Sequence, residues 1–314
     1  MKRNTAMIIF IIGASCFGLN PLFIKLGYAE GWSLGEINVV QVIIALAILW
    51  IIGILSIKRY PWVLRKLTVK TVISLIIAGS FTGLTSILYY GAMQYLPVSL
   101  AVVLLFQFVW VGVLFEWVFN RKKPNKKTVL SVLLTLVGVF FAAGVMNGGM
   151  SDISLIGFAL GIGSAFSYTA FVFVSGRVAV DIPATVRTPI MITGAGILTF
   201  IVFPPHLTLN ESVLGGNIWI YAAGVAICGL ILTPLLFAIS TPHLSGSLAM
   251  ILGSIELPVS VIVAAIGLSE HISLSRWAGV ILILLAITIG EMRGVWQYLK
   301  QKKSNPEKNS RHSA

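Results

Sequence analysis

Residues 34–56, LGEINVVQVIIALAILWIIGILS, contain one charged residue, Glu36, at their third position, and apolar side chains fall on every face of the helix they would form. A helix apolar all round is buried or spans a membrane, and roughly 20 such residues cross the hydrocarbon layer. Working outward, nine further stretches have the same character: 5–26, 69–93, 97–119, 128–146, 154–175, 184–203, 217–240, 245–268 and 275–292. Short loops and a tail are all that remain. With 57% hydrophobic and 10% charged residues and a mean hydropathy of +0.97, a soluble core could not hide the apolar surface. The expected fold is an all-α, multi-pass integral membrane protein with ten transmembrane helices, located in the cytoplasmic membrane.

The net charge of +12 would suggest nucleic acid in a soluble protein, so the positions of the basic residues decide its meaning. With the N-terminus in the cytoplasm, every Lys and Arg except Lys25 and Arg276 falls on the cytoplasmic side, in the runs 58–70, 121–127 and 293–311, at Lys2 and Arg3, and at Arg177 and Arg187. This asymmetry predicts that both termini are cytoplasmic. It speaks against nucleic acid as a partner. Lys2-Arg3 before the apolar run Ala6–Ile12 resembles a signal peptide, but the run continues to full spanning length and is read as a retained first helix. Cys16 and Cys228 lie in the first and eighth spans without a CxxC and are read as packing residues; neither a metal site nor a cofactor is expected.

A shift of 148 residues lays Tyr95-Leu96-Pro97-Val98-Ser99-Leu100-Ala101 on His243-Leu244-Ser245-Gly246-Ser247-Leu248-Ala249, and without a gap it pairs Thr85 with Thr233, Leu104 with Leu252 and Val111 with Val259. The loops carry opposite charge. Arg121–Lys127 holds five basic residues, whereas its partner 269–275 holds Glu270 as its charged residue; the basic loop 58–70 likewise answers to 204–216, with Glu211. The expected domains are therefore a five-helix repeat over 1–147, a second, inverted repeat over 148–296, and a basic tail over 297–314, disordered from about Lys300 for want of apolar residues to bury. Inverted repeats are a transporter signature, because two similar halves can rock about a central site.

Gly13-Ala14-Ser15-Cys16-Phe17-Gly18-Leu19-Asn20-Pro21-Leu22-Phe23-Ile24-Lys25 resembles the first helix of EamA-type members of the drug/metabolite transporter superfamily. Tyr168-Thr169-Ala170, Glu256-Leu257-Pro258-Val259 and the turn Gly267–Ser273 extend the resemblance over nearly the whole chain. It implies a ten-helix carrier of small metabolites or drugs, often an exporter. The chain departs from the family in having Gln41 where many members have an arginine in the second helix, and Asn120-Arg121 where a glycine/glutamate pair is common, which makes an anionic substrate less suited to it.

Glu256, twelfth in its span, falls near mid-depth, where a carboxylate costs a few kcal/mol. Burial disfavours its charged form, which suits proton exchange; the plainer role is a hydrogen bond tying two helices together. Pro258 weakens the same helix by freeing the carbonyl of Ser254. Gln107 and Trp110, spaced i and i+3, occupy similar depth in the first repeat, and Gly83, Ser86 and Tyr90 form a small and polar stripe for packing or a cavity wall. Asn20-Pro21 interrupts the first helix, and Tyr168 sits in its counterpart. The residues expected around a central cavity are thus Glu256, Gln107, Trp110, Tyr90, Asn20, Tyr168 and Gln41, with Pro21 and Pro258 as helix breaks. Lys25 is expected to snorkel to the interface, and Glu116 to pair with the basic loop after it.

A secondary transporter is the reading these features favour, working by alternating access, as a monomer or homodimer, with a small-molecule substrate, membrane lipids around it, and proton coupling through Glu256. A lipid or lipid-linked sugar translocase of the same superfamily is the alternative. A channel would want more polar residues along a pore. An enzyme is not expected: no nucleotide-binding loop, HExxH or nucleophile motif is present, and His206, His243, His271 and His312 are scattered.

Overall fold

The computed structural model describes residues 1–96, 98–121, 123–142, 154–209, 211–267 and 273–304. Among these residues every regular element is helical. In chain order they are α1 (Arg3–Phe17), α2 (Asn20–Ala29), α3 (Leu34–Arg59), a 3-10 turn at Pro61–Arg65, α4 (Val69–Tyr95), α5 (Val98–Leu105), α6 (Phe108–Asn120), α7 (Lys126–Ala142), α8 (Leu155–Ser175), α9 (Ala184–Val202), the short α10 (Pro205–Thr208) and α11 (Glu211–Gly215), α12 (Ile218–Val225), a π-helical segment at Ala226–Leu232, α13 (Thr233–Ser240), α14 (Gly246–Gly253), α15 (Glu256–Gly267) and α16 (Leu274–Ser304).

Eight helical stretches among the described residues are long and apolar enough to cross a membrane, and a shorter one, Leu274–Ile289, follows. They coincide with the sequence spans other than the fifth and tenth. The fifth lies in α7, described as far as Ala142, and the tenth in α16. The stretch 34–56 becomes α3, and its one acidic residue is a cap: Ser33 Oγ accepts the Glu36 N–H, while the Glu36 carboxylate accepts the Ser33 N–H at 2.8 Å. Thr68, Asn125, Ser154 and Ser245 cap α4, α7, α8 and α14 more simply, each side-chain oxygen accepting a first-turn backbone N–H.

Two details depart from the sequence reading. The last helix continues to Ser304, into the segment expected to be a disordered tail from 297, because Gln297–Lys303 are mostly good helix formers that can extend a helix already nucleated in the bilayer. Residues 305–314, like most of the expected turn at 268–272, lie outside the described residues. The eighth span is not one regular helix but α12, a π-helical segment and α13 in succession. Pro234 cannot donate to the ladder and its ring crowds the preceding turn; the wider π turn absorbs this, and Thr233 Oγ1 shares its proton between the carbonyls of Cys228 and Gly13, each at 2.7 Å.

Backbones approach closely where glycines allow it. A Cβ on Gly79 would fall 1.6 Å from the Met191 carbonyl oxygen, and one on Gly194 would fall 2.0 Å from that of Ile76, so α4 and α9 cross in contact. The pairings come in matched sets: α7 packs on α16, α6 on α14, α4 on both α8 and α9, and correspondingly α13 on α1 and α12 on α3.

Candidate functional site

Three helix breaks meet at the centre. Helix α1 gives way to α2 at Gly18-Leu19, just ahead of Pro21, which stands in the first turn of α2 where its missing N–H costs nothing. Helices α5 and α6 are separated at Phe106-Gln107, and α14 and α15 at Ser254-Ile255. Under the 148-residue shift the last two breaks coincide residue for residue: Val98 falls on Gly246, Leu105 on Gly253 and Phe108 on Glu256. Their hydrogen bonds coincide too. Gln107 N–H donates to Leu104 and Val109 N–H to Phe106, as Ile255 N–H donates to Leu252 and Leu257 N–H to Ser254, all at 3.2–3.3 Å.

That geometry corrects the expectation for Pro258. The Ser254 carbonyl is not left open, because Leu257 N–H takes it at 3.3 Å. Nor is proline the general cause, since the first repeat breaks at the same register with Trp110 in place of Pro258. The break around Gln107 escaped the sequence reading, although carrying the weakened position beside Glu256 back by 148 residues would have located it.

The break in helix one fits against the break in helix nine. A Cβ on Gly18 would lie 2.6 Å from the Glu256 carbonyl oxygen and 3.0 Å from Val259 Cβ, so glycine is what lets the two chains touch. Glu256, 2% exposed, directs its carboxylate to Tyr168 of α8, whose hydroxyl donates to Oε1. The Tyr168 ring in turn packs on Phe108, with centroids 4.7 Å apart, and on Phe17 at 6.2 Å.

Beside this pair lies a narrow cavity lined by Asn20, Gln41, Thr82, Thr85, Ser86 and Tyr90, together with Tyr168, Thr233 and the aromatic rings of Phe17, Phe171 and Phe237. Only about 30 Å³ of it is open to the centre of a water molecule, enough for one or two waters and far below the 300–1,000 Å³ typical of small-molecule sites. Its polar lining is uncharged. Asn20 Oδ1 and Thr82 Oγ1 are buried there without a hydrogen-bond partner, an arrangement that is costly unless something else satisfies them. Gln41 is held by Asn38, which accepts from its Nε2 at 2.6 Å.

Of the residues expected around a common cavity, Asn20, Gln41, Tyr90 and Tyr168 line it. Glu256 stands behind Tyr168 and not in the wall itself. Gln107 and Trp110 do not reach it: Trp110 Nε1 donates to Gln107 Oε1 at 2.8 Å, Gln107 Nε2 donates to the Val103 carbonyl, and the indole lies edge-on to Phe166. The pair satisfies itself along its own helix. The stripe on α4 divides its work, Gly83 packing on Ala195 while Ser86 and Tyr90 face the cavity. Thr82, Thr85 and Thr233 were not anticipated as lining residues, although Thr85 and Thr233 are a repeat-matched pair and so carried the signal.

Toward the end that bears the basic loops, the hydrogen bonds of Glu116 go to groups other than the basic loop expected to pair with it. Its carboxylate accepts the Gly246 N–H at 2.8 Å and the Asn120 side chain at 2.9 Å, joining α6 to the start of α14. Arg187, 2% exposed, donates to the carbonyls of Ser175, Val178 and Ala238 and so closes the ends of α8 and α13. Lys66 and Asp181 form an exposed ion pair at 2.6 Å, and the Lys66 hydrogen bond holds the Asp181 carboxyl below its ordinary pKa. Lys25 is exposed near the end of α2.

No curated protein matches this sequence. Twenty-eight chains of solved structures do match, among them one described as "Crystal structure of protein", with a TM-score of 0.75 at 15% identity over 93% of this chain and 98% of that one. At that identity the likeness concerns the fold. Residues 4–144 match the EamA-like transporter family, in agreement with the resemblance read from the sequence, and the apolar helices are those of a multi-pass membrane protein.

Proposed function

We propose that the protein is a secondary active transporter of ten membrane helices, built as two inverted five-helix repeats over 1–147 and 148–296 with both termini cytoplasmic. It exports a small, uncharged or weakly polar metabolite or drug across the cytoplasmic membrane. The single observation that carries this reading is the superposition of two mid-helix breaks under one 148-residue shift, next to a cavity with two unsatisfied polar atoms. Discontinuous helices related by an internal repeat are where transporters place their sites, and the matched helix pairings are what exchange of the two halves would produce.

Asn20 Oδ1 offers an acceptor and Thr82 a hydroxyl, so the substrate carries at least one N–H or O–H group, with an apolar or aromatic body against Phe17, Phe171 and Phe237. The cavity is too small for it in this conformation. Rocking of the two halves must widen the site, opening it to one side and then the other. Glu256 is the coupling residue: ionised, it holds the Tyr168 hydroxyl; protonated, it can release that hydroxyl to the cavity, so proton binding and the shape of the wall are linked.

The test is uptake into proteoliposomes with a panel of amino acids and drug-like amines and amides, with and without a pH gradient. At least one compound should move faster with the gradient, and Glu256→Gln should abolish that acceleration while the protein still inserts and folds. Equal transport by wild type and Glu256→Gln from pH 5.5 to 8 would reduce Glu256 to a structural hydrogen-bonding residue.

A further inference from the structure

On the far side of α8 from the central cavity lies a second hollow of quite different character. It is a groove of about 640 Å³ between α4, α6 and α8, walled by Phe81, Leu84, Phe115, Phe119, Phe166 and Phe173, with Gly163 and Ala170 forming a low floor. Phe115 meets Phe119, Phe166 and Phe173 through ring contacts of 5.4–6.4 Å, so the wall is a continuous aromatic cluster. The groove faces outward, Phe119 being 64% and Phe166 37% exposed.

Its length and its charge identify what fits. From Gly163 to Arg177 the groove runs about 21 Å at the helical rise, longer than one leaflet and about two-thirds of the roughly 30 Å hydrocarbon core. Arg177 is the charged residue of the lining and stands at the end where α8 stops, on the side of the basic loops. The guanidinium lies 3.2 Å over the Phe173 ring and spends one N–H on the Phe173 carbonyl at 2.7 Å. That stacking fixes its plane at the groove mouth and leaves further N–H donors for a bidentate partner. The Glu116 carboxylate accepts from Gly246 and Asn120, so its hydrogen bonds are directed away from the groove.

We propose that this groove is a binding site for one anionic phospholipid, its acyl chain laid along Phe81, Phe115, Phe166 and Phe173 and its phosphate held by Arg177. An apolar groove open to the bilayer is filled by a lipid chain in any case; the stacked arginine at its headgroup end makes the site select for charge. The occupied groove would lie between α6, which begins at one of the two matched breaks, and the continuous α8.

The experiment uses purified full-length protein in detergent micelles doped with phosphatidylglycerol or phosphatidylcholine of the same chains, with retained lipid counted by native mass spectrometry. Soluble glycerol phosphate is the headgroup-only control. Wild type should retain phosphatidylglycerol over phosphatidylcholine by about fivefold, the worth of one basic residue beside anionic lipid, and should not be displaced by glycerol phosphate. Arg177→Gln should lose the preference, Arg177→Lys should keep part of it, and Ala170→Phe, which fills the groove floor, should lower retention of both lipids. Equal retention of the two lipids by wild type, or a preference surviving in Arg177→Gln, would overturn the proposal. Displacement by glycerol phosphate would overturn it too, by making the site a soluble-anion site. If Arg177→Gln does not fold, Ala170→Phe against wild type decides alone: unchanged lipid retention would refute the groove.

Discussion

Replacing Tyr168 by Phe removes one oxygen atom and little else. The ring keeps its place between Phe108, 4.7 Å away, and Phe17, 6.2 Å away, so packing is conserved and the change isolates the hydrogen bond to Glu256. Because Glu256 is only 2% exposed, water does not replace the lost donor, and a buried polar group left unpaired costs about 1–3 kcal/mol, more if it is charged. Glu256→Gln alone keeps an acceptor for the phenol and should cost less than about 1 kcal/mol. In the double variant no charge is stranded, so the two losses should fall short of adding by about 1 kcal/mol or more, the coupling expected of residues in one network. Thermal unfolding can be followed with a thiol-reactive fluorophore in a Cys16→Ser background, which removes the half-buried thiol and leaves the buried Cys228 to become reactive on opening. A loss of about 2–4 °C per kcal/mol is the scale for a large chain. Unfolding of Tyr168→Phe at the wild-type temperature, or strict additivity in the double variant, would refute the assignment of this hydrogen bond as the link between α8 and α15.

Gly18→Ala should disturb the joint between the first and ninth spans, because its Cβ would fall 2.6 Å from the Glu256 carbonyl; overpacking of about 1–3 kcal/mol should lower the unfolding temperature and slow transport, whereas Gly215→Ala, at an exposed position with nothing within 4 Å, should do neither to a comparable degree. Asn20→Ala and Thr82→Ala remove the two unsatisfied cavity atoms and should weaken substrate affinity without destabilising the fold; a lowered unfolding temperature with unchanged transport would show that they are structural. For Asp181, whose carboxyl is held low by Lys66, the ion pair contributes above the ordinary aspartate pKa and is lost as pH falls through the lowered one; Lys66→Ala should move the Asp181 titration upward, and an unmoved titration would mean the exposed pair does not persist in solution. Cysteines placed at Asn125 and Ser273 should label from opposite sides of the membrane, and labelling from one side would exclude the inverted arrangement.

The hydrophobic spans were legible from the chain because a bilayer imposes a length and a composition on any helix that crosses it, and residues 34–56 could hardly be anything else. The 148-residue shift was readable too, from Leu96, Ser99, Leu100 and Ala101 matching later residues, and the two mid-helix breaks fall on it; so was the helix break before Pro21. What could not be read was which way each side chain faces, since a helix apolar on every side carries no moment to mark its inner face. Gln107 and Trp110 stood at the right depth yet turned to each other, while Thr82, Thr85 and Thr233, plain in the sequence, turned inward. The partner of Glu256 was likewise a matter of three dimensions: Tyr168 lies 88 residues away and reaches it only in the folded chain. Depth, length and repeat register are one-dimensional properties that solvent and chain length dictate, whereas cavity walls and hydrogen-bond partners arise where separate helices cross, and the crossing exists only in the folded protein.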